Sequence, residues 1–220
     1  MHPSSDPVRT PRVHHPVFAR FYARFSASAD ARGGVGALRA ELLAGLAGRV
    51  VEIGAGNGLN FAHYPVAVTE VVAVEPEPRL RRLAEEAGRR APVPVTVLSG
   101  TAEALPAPDA SFDAAVASLV LCTVRDVPGT LAELRRVLRP GGELRFFEHG
   151  RADAPGLARV QRTLDRTVWP LLFGGCHTSR TPLGAIEEAG FDLLAHRSFD
   201  LPDRGPRLPS SPCVLGTARR

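Results

Sequence analysis

The chain has 220 residues, 44% of them hydrophobic and 23% charged. That balance suits one globular domain with a sizeable core and excludes a collagen-like or disordered polymer. All 27 basic residues are arginine, so chemistry that needs a lysine amine is excluded, whether a P-loop lysine, a Schiff base or a Tyr-x-x-x-Lys dehydrogenase pair. The net charge is only +4, and the arginines are spread among 23 acids, so no basic stripe for nucleic acid stands out.

In chain order, residues 1–15 read as a disordered lead, with Pro3, Pro7 and Pro11 among polar residues. Pro16–Ser26 reads as a short helix with Phe18, Phe21, Tyr22 and Phe25 on one side, and Gly36–Ala47 as a second helix. Strands are expected at Arg49–Ile53, Glu70–Val74, Val95–Leu98, Phe112–Leu121 and Glu143–Glu148. Helices are expected between them at Arg79–Arg90 and Val127–Leu138, the latter stopped by Pro140-Gly141-Gly142. Leu157–Trp169 reads as an amphipathic helix ended by Pro170, followed by the loop Gly174-Gly175-Cys176-His177. A helix over Pro182–Ala189, with Gly190 at its C′ position, precedes strands over Phe191–Phe199 and Cys213–Ala218. The alternation predicts a doubly wound, Rossmann-like α/β sheet with helices on both faces. No linker divides 16–220, which reads as a single domain with a cofactor-binding core at 48–150 and an acceptor-side cap at 151–190.

The three cysteines, Cys122, Cys176 and Cys213, lie far apart and form no C-x-x-C pair, which fits a reducing, cytoplasmic compartment. The first 30 residues contain no apolar signal-peptide core, and no apolar run reaches membrane-spanning length. No metal is expected, because no second close ligand pair accompanies Cys176-His177.

The chemistry concentrates at Glu52-Ile53-Gly54-Ala55-Gly56-Asn57-Gly58, a strand running into a glycine turn. Glycines there let backbone approach a ligand, and the following helix would aim free N–H groups at it. The dinucleotide fingerprint G-x-G-x-x-G/A fails, because its sixth position is Leu59. Glu52 would repel a pyrophosphate but suits a cationic amino group. The next strand ends in Glu75, placed to accept from two ribose hydroxyls.

Further on come Gly100-Thr101-Ala102-Glu103-Ala104-Leu105-Pro106, Ser111-Phe112-Asp113 and Leu134-Arg135-Arg136-Val137-Leu138-Arg139-Pro140-Gly141-Gly142. Together with the glycine turn, this ordered set resembles the class I S-adenosylmethionine-dependent methyltransferases, type 11 group, over residues 48–150. The resemblance implies a seven-stranded sheet with the last strand antiparallel, S-adenosylmethionine as cofactor and S-adenosylhomocysteine as product. It implies that Glu52, Gly54, Ala55, Gly56, Gly58 and Asn60 hold the methionine part. Glu75 would hold the ribose, with Pro76 beside the adenine, Thr101, Ala102 and Glu103 at the adenine edge, and Ser118 and Leu119 on the floor. Thr101 replaces the family's usual Asp, which removes a carboxylate from the adenine contact.

Flanking segments resemble the thiol methyltransferase-like branch of that group. They are His15-Pro16-Val17-Phe18-Ala19-Arg20-Phe21-Tyr22, Gly56 to Pro65, Phe147-Glu148-His149 and Gly175 to Arg180. Tyr22, Glu148, His149, Cys176 and His177 are the candidate acceptor-side residues, with His149 as a base if the acceptor must lose a proton. The acceptor is expected to be a small thiol, amine or hydroxyl compound. Two other readings are a non-catalytic S-adenosylmethionine-binding protein and an NAD-linked oxidoreductase. Leu157, Val160, Leu164, Val168 and Leu171 form an apolar stripe, read as a lid packed on the site in preference to a surface docked on a membrane.

Overall fold

The computed structural model describes residues 19–23, 26, 34–203 and 207–220. The expected lead over 1–15 lies outside them, as does part of the Pro16–Ser26 helix, of which residues 19–23 are helical. The elements run α1 (Val35–Leu43), β1 (Gly48–Ile53), a 3-10 turn (Phe61–His63), β2 (Val68–Val74), α2 (Pro78–Gly88), β3 (Val95–Leu98) and β4 (Phe112–Ser118). They continue with α3 (Val127–Val137), β5 (Leu138–His149), α4 (Pro155–Asp165), α5 (Trp169–Leu172), α6 (Pro182–Glu188), β6 (Asp192–Asp200) and β7 (Pro212–Arg219).

The seven strands form one sheet in the order β3-β2-β1-β4-β5-β7-β6. The first five are parallel, and β7 runs antiparallel to both β5 and β6. Strand order reverses between β1 and β4, so their C-terminal ends open the crevice where open α/β sheets bind ligands. Successive strand residues point to opposite faces. Val51 and Ile53 therefore pack with Leu131, Leu134 and Ile186 on one side, while Val50 packs with Leu42, Leu43, Phe61 and Tyr64 on the other. Being covered on both faces is why β4 reads as a nearly continuous apolar run.

Two helix starts are capped by carboxylates. The Glu77 carboxylate accepts from Leu80 N at 2.8 Å to cap α2, and Asp126 accepts from Gly129 N at 3.0 Å to cap α3. Gly190, at φ 80°, ends α6 as its sequence position implies.

Three boundaries differ from expectation. β4 stops at Ser118, not Leu121, because Leu119 takes φ 56° and donates its N–H to Phe147 O at 2.6 Å. β5 starts at Leu138, not Glu143, because Pro140-Gly141-Gly142 lies in its bulged start, where the pairing jumps from Phe112–Leu138 to Ala114–Glu143. The helix expected over Leu157–Trp169 is two helices. Asp165 ends α4, its carboxylate accepting from the N–H and hydroxyl of both Thr178 and Ser179 at 2.7–3.1 Å. Pro170, far from ending that helix, sits in the first turn of α5, where its missing N–H costs nothing.

The apolar stripe on these helices does not pack as a lid. Val160 is 47% exposed, Val168 48% and Leu171 83%, and the buried face of α4 carries Ala158 and Gln161 instead. The Gln161 carboxamide accepts from Ala152 N and donates to the carbonyls of Gly150, Thr178 and Pro209, which selects that face. Among the described residues, no helix is long and apolar enough to cross a membrane.

Candidate active site

The glycine turn is pinned to the end of β2. The N–H groups of Gly54 and Ala55 both donate to Val74 O, at 2.8 and 3.3 Å, and Gly58 N donates to Ala55 O at 2.9 Å. Gly54 has φ 61°, and a Cβ there would lie 2.3 Å from a Val120 methyl carbon, so no side chain fits. Gly56 has φ 57°, and a Cβ would lie 3.3 Å from the Tyr22 ring. The turn is thus a backbone cradle with Tyr22 as its roof and the segment after β4 as its neighbour.

Glu75 follows directly on β2 and is 5% exposed. Its Oε2 accepts from Gly56 N at 2.8 Å and its Oε1 from Glu77 N at 2.9 Å. Each carboxylate oxygen has two lone pairs, so each retains room for a further donor. Burial pushes its pKa up to about 7, partly offset by the Glu77 and Gly56 amides. A buried acid that binds both the turn and the start of α2, with acceptor capacity left, fits the two hydroxyls of a ribose.

Glu52 lies under the same turn, 2% exposed. Its Oε1 accepts from Asn60 Nδ2 at 2.9 Å and its Oε2 from the Tyr64 hydroxyl at 2.6 Å. Asn60 Oδ1 accepts in turn from Arg39 Nη1 at 2.7 Å, and the same nitrogen reaches Ser118 Oγ at 3.4 Å. Burial raises Glu52 to about 7, against the lowering effects of Tyr64, Asn60 and Arg39. Arg39 was not expected here. The signal for it is an arginine on the buried face of α1, in line with Val35, Leu42 and Leu43.

The remaining cofactor candidates sit around the cradle. Pro76 is half-buried after Glu75, and Ala102 is buried with Leu105 in the core beside β3 and β4. Thr101 bridges Ala104 in a tight turn, and the Glu103 carboxylate accepts from Arg125 N at 3.2 Å. Leu119 holds a left-handed backbone conformation, uncommon for a residue with a side chain, where β4 meets the crevice.

On the acceptor side, Glu148 is fully buried. Its carboxylate accepts from the N–H groups of Val120, Leu121 and Cys122 at 3.0, 2.9 and 3.3 Å. It therefore holds the segment after β4 in shape, with burial raising its pKa to about 7 against those three amides. The phenol of Tyr22 is pushed up by burial; Arg39 opposes this, and Glu75, Cys122 and Glu148 add to it. Tyr22 thus stands above the Gly56 turn and within electrostatic reach of Arg39, Glu75, Cys122 and Glu148.

Cys176 is brought into this group beside Cys122, which the sequence reading did not single out, by the bond from the next residue's N–H, His177 N, to Cys122 O. His149 is not. Strand alternation sends it away from Glu148, its Nδ1 lies 3.4 Å from Cys213 Sγ, and burial lowers its pKa to about 4. The His177 ring bonds Gly175 O at 2.7 Å, and its backbone N–H donates to Cys122 O at 2.8 Å. No group of three or more metal-ligating side chains gathers among the described residues.

A family model described as a methyltransferase domain matches residues 51–146. The chain is 33% identical over 181 residues to thiol S-methyltransferase TMT1B of Mus musculus, covering 80% of this chain and 73% of that protein. It is 32% identical over 158 residues to thiol S-methyltransferase TMT1A of Homo sapiens, covering 70% of this chain and 64% of that one. The chain thus spans slightly under two thirds of the human relative. Its fold matches a solved Thermotoga maritima protein described as a SAM-dependent methyltransferase, possible histamine N-methyltransferase. That match has a TM-score of 0.68 and 24% identity, over 92% of this chain and 98% of the other. A glycine cradle closed by a buried carboxylate, on this strand order and with these relatives, admits one conclusion: the chain belongs to the class I S-adenosylmethionine-dependent methyltransferases, with S-adenosylmethionine as its cofactor.

Proposed function

We propose that this enzyme methylates the sulfur of a small-molecule thiol. The observation that carries the reading is that neither strand-five candidate is placed as a base. Glu148 is taken up by three backbone amides, and His149 turns to Cys213 with a pKa near 4. A proton acceptor that weak contributes little at neutral pH. An acceptor that ionises unaided suits such a site, and a thiol, with an ordinary pKa near 8.5, is already a few per cent thiolate at pH 7. The names of the two mammalian relatives support the same acceptor atom.

When bound, the cofactor supplies an already activated methyl group on a sulfonium. The chain's own residues supply position, which is where catalysis of such a displacement originates. Glu75 would hold the ribose, with Pro76, Thr101, Ala102 and Glu103 around the adenine. Gly54, Ala55, Gly56 and Gly58 would approach the methionine part, and Glu52 and Asn60 would set the charge beneath it. Arg39, in the same network, would meet the methionine carboxylate. Ser118 and Leu119 would form the floor. Tyr22, Cys176 and His177 would close the acceptor side against water. The three free cysteines support a reducing, cytoplasmic setting. The test is rate against pH with a thiol of known pKa. A rate that rises through that pKa supports the proposal, and a rate governed by a protein group with a pKa of 4 to 7 refutes it.

A further inference from the structure

Cys122 and Cys176 are 54 residues apart in sequence and meet in the fold, just after β4 and just after α5. His177 N donates to Cys122 O at 2.8 Å, and the Arg180 guanidinium bonds the Leu121 carbonyl. Both cysteines are buried, Cys122 at 3% exposure and Cys176 at 7%, and each thiol shifts the ionisation of the other. A disulfide needs α-carbons roughly 4.4–6.8 Å apart. The 2.8 Å bond from His177 N to Cys122 O joins the two backbones one residue from Cys176 and brings the cysteine α-carbons close to that range.

The two sulfurs are not equivalent. The neighbouring Cys122 thiol holds Cys176 below the ordinary thiol range, against burial and with help from the Trp169 indole. Among the described residues that indole N–H finds no regular hydrogen-bond acceptor, and it interacts with this sulfur. Cys122 is pushed well above the ordinary range, by the neighbouring Cys176 first and by burial second. Gly174 and Gly175 precede Cys176 at φ 62° and 91°, so its backbone sits on a two-glycine turn. Cys213, whose sulfur contacts His149 Nδ1 and Ser210 O, is pushed up to about 12, by burial first and with Glu148, Asp200 and Cys176 adding to it.

We propose that Cys122 and Cys176 are a peroxide-reactive dithiol, whose oxidation to a disulfide ties the cap segment after α5 to the end of β4 beside the acceptor site. The Cys176 thiolate attacks one oxygen of hydrogen peroxide, the O–O bond breaks, and hydroxide leaves and takes up the thiol's proton as water. The resulting sulfenic acid is attacked by the Cys122 sulfur. The S–O bond breaks, the S–S bond forms, and the Cys122 proton leaves with the hydroxyl as a second water. The sulfurs together lose two electrons and the peroxide gains them. A low-molecular-weight dithiol reverses the change by exchange. The inference concerns the cap and does not depend on the acceptor being a thiol.

The test is peroxide titration of the full chain, followed by alkylation and peptide mapping. Two of the three thiols should be lost together, with a peptide linking Cys122 to Cys176, and recovered with dithiothreitol. Cys213 should remain alkylatable. In Cys122→Ser, oxidation should stop at a sulfenic acid on Cys176 that a 1,3-diketone traps. Hydrogen exchange over residues 174–181 should slow in the oxidised wild type and recover on reduction. A linkage through Cys213, loss of all three thiols at one rate, progress of wild-type Cys176 to sulfinic acid, or unchanged exchange over 174–181 would each overturn the proposal. The wild-type mapping needs no variant, so a poorly folding mutant does not remove the test.

Discussion

Replacing Glu75 with Gln tests the cofactor cradle at its most connected point. The wild-type carboxylate accepts from Gly56 N and Glu77 N at 2.8 and 2.9 Å and retains lone pairs for the ribose. An amide keeps the shape but turns one oxygen into a donor, which then faces either a backbone N–H or a ribose hydroxyl. Hydrogen bonds to a charged acceptor contribute about 1.5–3 kcal/mol each, so binding should weaken roughly 10- to 150-fold. The lost backbone bond should also lower stability by about 1 kcal/mol, or roughly 2–4 °C in Tm for a chain of this size. Titration calorimetry with S-adenosylhomocysteine, beside thermal unfolding without ligand, reads both effects. An unchanged Kd with a normal melting curve would show that the ribose is held elsewhere.

The same burial makes binding depend on pH. Glu52 and Glu75, both raised to about 7, lose protons near neutrality, and a cationic ligand favours their ionised forms. Cofactor affinity should therefore rise from pH 6 to 8 with net proton release, seen as a buffer-dependent binding enthalpy; equal enthalpies across buffers would contradict this. For the ligand-free protein the sign is opposite. A carboxylate whose folded pKa exceeds its unfolded one stabilises fully below the unfolded value, near 4.5, and loses that contribution as pH rises through about 7. Urea midpoints should accordingly fall over that window, and a midpoint that rose would refute the assignment. Glu148→Ala would leave three amides after β4 without their acceptor, at about 1–3 kcal/mol for each that stays buried. A loss of at least about 3 kcal/mol is expected in denaturant unfolding, and a loss below 1 kcal/mol would mean that the segment finds other partners. His149→Ala should leave kcat for a thiol acceptor within about threefold, whereas removing a working base costs about 10²–10⁴-fold.

The fold was legible because its signals are local and repeated. Val50–Ile53, Val71–Val74 and Phe112–Ala117 are apolar runs of strand length between helical periods, and Gly54-Ala55-Gly56 marks the turn between β1 and the crevice. The carboxylate at Glu75 was legible for the same reason. Less legible was what those acids already bind. In sequence Glu75 shows only as an acid at a strand end placed for ribose hydroxyls, yet it also anchors Gly56 and Glu77. Glu148 and His149 are neighbours in sequence, and only the pleat shows that they serve different sides. The α4–α5 break depends on Asp165 reaching Thr178 and Ser179, a pairing across 13 residues that helical periodicity does not report. Arg39 and Cys122 sit among apolar neighbours and carry no motif of their own, so their roles follow only from what the fold sets beside them.

The most direct measurement is transfer of an isotopically labelled methyl group. The enzyme is incubated with methyl-labelled S-adenosylmethionine and matched small thiols, alcohols and amines, and the products are read by mass spectrometry. The account predicts label on the thiol sulfur, one S-adenosylhomocysteine formed per thioether, and little or no label on the matched alcohol or amine. Label carried mainly by the alcohol or the amine, with the thiol untouched, would contradict it.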